Sequence, residues 1–119
     1  MPYWQPNWED VRWDSSTAEV FIATLLATAT ELETIVQEHR TAGATYFLAW
    51  QGEKSTTIPA ALEIGYQQLL SRATTYRDLA QHVRNQTTRA VDEQRQRNQD
   101  RQRWHAEVAA EQQRTNPAH

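Results

Sequence analysis

The chain has 119 residues, a net charge of −3 and a mean hydropathy of −0.83, and 39% of its residues are hydrophobic. This length allows one small domain, and the low hydropathy leaves apolar surface only for a narrow seam between helices. No cysteine occurs, which excludes a disulfide framework and thiolate chemistry. The few glycines and prolines favour long uninterrupted helices.

The N-terminal stretch, MPYWQPNWEDVRWD, holds three of the five tryptophans and two of the four prolines. We expect residues 1–15 to form a Trp-rich tail without regular structure. A charged segment followed by an apolar one is missing, so the stretch does not predict a Sec signal peptide. No run approaches the roughly 18 apolar residues of a membrane span. The prediction is a protein made in the cytoplasm, with any export to the medium or envelope using a route that reads no cleaved leader.

The first helix is predicted over residues 16–49. Ser16 and Glu19 have the spacing of a capping box, in which the hydroxyl and the carboxylate satisfy backbone donors at a helix start. Seam positions then recur every three or four residues: Ile22, Leu25, Ala29, Leu32, Val36, His39, Gly43, Tyr46 and Trp50. A second set widens the stripe to the width typical of a helix with more than one neighbour: Phe21, Thr28, Ile35, Ala42 and Ala49. We interpret His39 as a polar seam residue that fixes register.

A turn is predicted over residues 50–57, and a second helix over residues 58–112. Gly52 suits the left-handed conformation that closes a helix, and Pro59 suits a first helical turn. The second seam alternates by four and three: Leu62, Tyr66, Leu69, Ala73, Tyr76, Ala80, Val83, Thr87 and Ala90. Residues 113–119 are predicted to be a C-terminal tail.

Beyond Ala90 the same phase continues through Gln94, Arg97 and Arg101 to Trp104, but the seam becomes polar from 92 to 103. Four arginines here could meet phosphates: Arg95, Arg97, Arg101 and Arg103. Interleaved acidic residues argue against nucleic acid, and we interpret the stretch as a solvated helix surface.

The tryptophans at the two ends of the sequence are expected to meet. In an antiparallel hairpin, Trp4, Trp8 and Trp13 lie at the same end as the extension that carries Trp104. We expect the tail to fold over this end, within the chain or across a dimer, with its rings covering apolar positions. Tryptophan also supplies large contact area for binding another chain.

These lengths predict an all-α fold, an antiparallel helical hairpin with a long second helix. A single hairpin buries too little surface to be stable at this size. We therefore expect a four-helix bundle formed by dimerisation, with a second copy or with another small helical hairpin. Seam residues expected to serve packing or partner binding are Leu25, Leu32, Val36, His39, Tyr46, Leu62, Tyr66, Leu69, Tyr76 and Val83.

Trp50-Gln51-Gly52 at the turn of such a hairpin resembles the Trp-x-Gly superfamily of type VII (ESX) secretion substrates. The small actinobacterial members are similar in further features: VRWD before the first helix, an Arg/Gln-rich extension and the late Arg103-Trp104. The resemblance covers roughly residues 12–104. It implies a non-enzymatic protein exported already folded as a dimer, a substrate or the partner of a substrate or toxin, and associated with a secretion ATPase.

One feature departs from that family, whose exported complexes carry a Tyr-x-x-x-Asp/Glu signal after the second helix. Tyr66 and Tyr76 are followed four residues on by leucine and alanine. The export signal is then expected from a partner, and an intracellular structural or adaptor coiled coil remains the alternative. No metal-ligand spacing, phosphate loop or nucleophile arrangement is present, so the sequence predicts no enzyme and no cofactor.

Overall fold

The protein is described from a computed structural model that covers residues 2–49 and 54–115. Helices α1 (Ser15–Ala49) and α2 (Lys54–Thr115) hold 88% of these residues, and no strand occurs among them. Ion pairs join Glu33 to Arg77 and Arg40 to Glu63, so α2 numbers fall as α1 numbers rise. The predicted all-α antiparallel helical hairpin with a long second helix is confirmed.

Both helices begin earlier than the sequence predicts. α1 begins at Ser15, which leaves Asp14 at the N-cap position, and aspartate is as good a cap as serine. α2 begins at Lys54 rather than 58, so Pro59 lies in the second helical turn. A proline there removes only the bond to the carbonyl of residue 55, a loss that a helix tolerates near its end. α2 also runs three residues past 112.

The turn motif cannot be placed by the structure. Trp50 and Gly52 lie outside the described residues. The bounds of the two helices leave residues 50–53 as the connection in place of the predicted 50–57.

Small residues bring the two helices of the hairpin close together. Ala29, Ala73 and Ala80 are fully buried, and alanine lets helix backbones approach closely. Ile22 and Leu25 pack with Ala80 in the main core cluster, and the partly buried side chains against it are Leu26, Tyr76 and Val83. The apolar seam thus lies where the 3–4 spacing predicts.

The predicted seam residues differ in how far the single chain covers them. Leu25 and Val36 are buried. Five are half-buried: Leu32, Tyr66, Leu69, Tyr76 and Val83. Three are exposed: His39, Tyr46 and Leu62. The part of the seam nearest the connection is therefore the least covered, although the His39 ring still lies 6.5 Å from the Tyr66 ring.

The chain divides into two compact units at a different place from the predicted domains. One unit is Ser16–Arg84; the other joins Met1–Ser15 to Asn85–His119. The sequence assigns 16–112 to a single hairpin, whereas the structure groups the second half of α2 with the N-terminal tail. The reason is length, because a 35-residue α1 can pair with only about as many residues of α2.

We expect Ile22→Ala to lower the free energy of unfolding by about 2–4 kcal/mol, because it leaves a cavity at a side chain that is 2% exposed. Val20→Ala is the matched control on the same helix, since Val20 is 67% exposed and its loss should cost under about 0.5 kcal/mol. Urea denaturation followed by circular dichroism measures both. Equal losses in the two variants would show that the core is assigned wrongly.

Candidate functional site

One face of the hairpin carries the ion pairs between the helices. Arg77 binds Glu33 and also donates to Thr30 Oγ1 at 3.2 Å. Arg40 donates to Glu63 through two nitrogens, with Nε 3.1 Å from Oε2 and Nη2 bonded to Oε1. The Arg40 hydrogen bond, assisted by one from Gln67, lowers the pKa of Glu63. Charged side chains of the chain itself therefore pair across this face of the hairpin.

The opposite face carries exposed apolar side chains from both helices, with polar side chains between them on α2. Glu33, Arg40 and Arg77 each lie four residues after a buried residue, whereas Phe21, Ile35 and Leu79 each lie one residue before one. At 100° per residue these two sets lie on opposite sides of the seam, and antiparallel pairing brings the second set of both helices to one face. Phe21, Ile35 and Leu79 are 46%, 38% and 39% exposed. This surface, with Tyr46 further along, is called the apolar face.

Gly65 belongs to the same face and has no role within the single chain. A Cβ built on Gly65 meets nothing within 4 Å, and no glycine among the described residues has a positive φ. A mid-helix glycine costs about 1 kcal/mol relative to alanine. The surface above Gly65 is therefore open among the described residues.

The second surface lies in the other unit, where residues 2–14 form an N-terminal strap along α2. Trp13 Nε1 donates to Thr87 Oγ1 at 3.0 Å, and at the other end Trp4 Nε1 donates to Glu107 Oε2 at 2.7 Å. From Trp4 to Trp13 the strap advances nine residues, and from Thr87 to Glu107 the helix advances twenty. An extended chain of the first length and a helix of the second both span about 30 Å. The strap is therefore extended and antiparallel to α2, and its two ends are anchored by indole N–H groups.

Side chains of α2 bind the main chain of the strap. Gln94 accepts from the Val11 N–H at 2.7 Å and donates to Asp10 at 3.1 Å. Arg101 donates to the carbonyls of Asn7 and Glu9 at 2.9 and 2.8 Å, and Arg97 donates to the Glu9 carbonyl at 2.9 Å. An extended segment has no ladder partner of its own, so these donors satisfy its carbonyls.

Aromatic contacts hold the N-terminal half of the strap. The rings of Trp8 and Trp104 meet edge to face at 5.3 Å, and the Trp104 indole donates to the Trp4 carbonyl at 3.1 Å. The guanidinium of Arg103 lies 4.2 Å from the centre of the Trp4 ring, within the range of a cation–π interaction. His105 is 5.7 Å from Trp8, ring to ring. The structure thus brings Trp4, Trp8 and Trp104 together and places Trp13 about 17 Å from Trp8 along the strap.

The interpretation of the arginines as solvated surface is wrong for Arg97 and Arg101. Their side chains are 21% and 19% exposed because the strap covers them, whereas Arg95 is 62% exposed and pairs with Asp92. The sequence does carry the signal, since Gln94, Arg97 and Arg101 keep the 3–4 phase of the apolar seam. The phase places these side chains on the seam, and the structure shows that they meet backbone carbonyls there.

Asp10 has a lowered pKa. The hydrogen bond from Arg101 Nη1, at 2.9 Å, is the largest cause, and the bond from Gln94 is the next. Both favour the ionised carboxylate. The ionised carboxylate of Asp10 therefore helps to hold the strap on α2.

Other kinds of site find no support in the described residues. No group of three or more His, Asp or Glu side chains among residues 2–49 and 54–115 could hold a metal ion. Within the same residues, neither helix has a stretch long and apolar enough to cross a membrane. The two surfaces above are the candidate sites.

Comparison with known proteins returns no relative. No protein-family model matches the chain, and neither a curated protein nor a solved structure does.

We expect the Asp10 carboxyl to titrate below its ordinary value of 3.8, and Arg101→Ala to move the midpoint back toward that value. A depressed pKa stabilises the attached strap above about pH 4, and that contribution is lost as the pH falls through the folded pKa. NMR titration of the carboxyl measures the midpoint. Arg95→Ala is the control that removes an arginine of α2 without touching Asp10, and a midpoint identical in both variants would mean that the Arg101–Asp10 bond does not form in solution.

Proposed function

We propose that this chain is a non-enzymatic helical-hairpin protein of a type VII secretion system. It acts as a secreted substrate or as the dimer partner of a substrate or toxin. The observation that carries the proposal is the apolar face, which a hairpin of this kind leaves open until a second helical chain covers it. Sequence supports it at one further point, because Trp50-Gln51-Gly52 falls between the end of α1 and the start of α2.

The partner is a second helical hairpin, either another copy or a similar small protein. Phe21, Ile35 and Leu79 form a row of exposed apolar side chains, and Gly65 leaves room for close approach. Since the ion pairs close the other face, a partner that packs here completes a four-helix bundle with one apolar core. Arg72, which precedes the buried Ala73, lies on the same face. The partner must pair an acidic group with its charge or leave it in solvent.

We expect the purified chain to be a dimer at micromolar concentration, or to form a stable one-to-one complex when co-expressed with a small helical protein encoded beside it. Ile35→Glu should shift the complex toward monomer, because it buries an unpaired carboxylate in the interface. Val20→Glu is the matched control, an exposed apolar residue on α1 away from this face. Light scattering gives the mass. A cooperative monomer that binds none of the neighbouring proteins would overturn the partner proposal.

Export is tested in a host that has an intact type VII system. We expect the tagged chain, produced with its partner, in the culture medium of that host and only in the cells of a strain that lacks the secretion ATPase. Trp50→Ala should reduce export, and a cytoplasmic marker protein controls for lysis. Retention in the cells of both strains would contradict the secretion role and favour an intracellular structural or adaptor protein.

A further inference from the structure

The strap is held by contacts that do not depend on most of its side chains. Four hydrogen bonds from Arg97, Arg101 and Trp104 end on strap carbonyls, at Trp4, Asn7 and twice at Glu9. A fifth bond joins the Val11 N–H to Gln94. Any extended peptide presents the same main-chain groups at the same spacing.

Three features add side-chain selectivity. Trp104 and Arg103 contact the rings of Trp8 and Trp4, which favours an aromatic residue near the N-terminal end of a bound peptide. Arg101 and Gln94 meet the Asp10 carboxylate, which favours an acid two to six residues further on. Beside Val11 and Val91 a cleft of about 410 Å³ stays open, so the site admits a side chain larger than valine.

The strap is suited to leaving this face. Among its residues only Pro6 is buried, and its bonds to α2 are mostly exposed polar contacts, each of which is weak in water. Its covalent link to α1 at Ser15 adds a high effective concentration to these contacts.

We propose that the α2 face formed by Gln94, Arg97, Arg101 and Trp104 is a peptide-binding site. The strap occupies it in the same chain, and an extended aromatic–acidic segment of a partner protein replaces the strap. The site would then recognise the main-chain carbonyls of the peptide, one or two of its aromatic rings and one carboxylate. This proposal is independent of secretion and of what covers the apolar face.

The probe is a fluorescent peptide with the sequence of residues 2–14, added to the full chain. The wild-type strap competes with it, so a second full-length protein carries Trp4→Ala and Asp10→Ala, which weaken the strap and leave the α2 face intact. Fluorescence anisotropy measures the dissociation constant. We expect the strap-weakened chain to bind the peptide at least about tenfold more tightly than wild type does, because the tethered competitor is lost.

Arg101→Ala, placed in the strap-weakened chain, should reduce peptide affinity at least about tenfold. The substitution removes three hydrogen bonds to the peptide, and the one to the Asp10 carboxylate joins two charged groups. Arg95→Ala in the same background is the control for charge and should leave the affinity unchanged. Circular dichroism verifies that both variants keep their helix content. Equal binding by these two variants, equal binding to a scrambled peptide, or no binding to the strap-weakened chain would each overturn the proposal.

Discussion

The unequal length of the two helices is the constraint on which the rest of the structure depends. α2 has 62 residues and α1 has 35, so α1 can flank only part of α2. A long helix without a neighbour is marginal in water, because helices in proteins owe most of their stability to packing. The second half of α2 is accordingly polar along most of its seam and carries the extended strap in place of a second helix.

The two units use opposite physical means to cover α2. In Ser16–Arg84 the contact is apolar and close, with alanines at the centre and two ion pairs along one edge. In the other unit the contact consists of side-chain donors on backbone acceptors, with aromatic rings at one end. Apolar packing is strong and non-directional, whereas hydrogen bonds to an exposed segment are weak and directional. The first contact builds the core of the hairpin, and the second holds the strap.

The two candidate surfaces therefore differ in what they can recognise. The apolar face has shape and hydrophobicity to offer, which suits another amphipathic helix pair. The α2 face beneath the strap has a fixed series of donors, which suits an extended chain.

The sequence by itself determined the helices, because 3–4 spacing runs unbroken from Ile22 to Trp50 and again from Leu62 to Ala90, which favours two amphipathic α-helices. A short connection between them forces the pair to be antiparallel. The sequence also predicted the meeting of Trp4 and Trp8 with Trp104, whereas Trp13 lies beside Thr87, nearer the start of α1. Only the tertiary structure decided what Arg97 and Arg101 do. A helical pattern shows that a side chain lies on the seam, but an arginine there can face water or a backbone carbonyl with equal ease. The choice depends on the path of a strap whose sequence has no period to reveal where it lies.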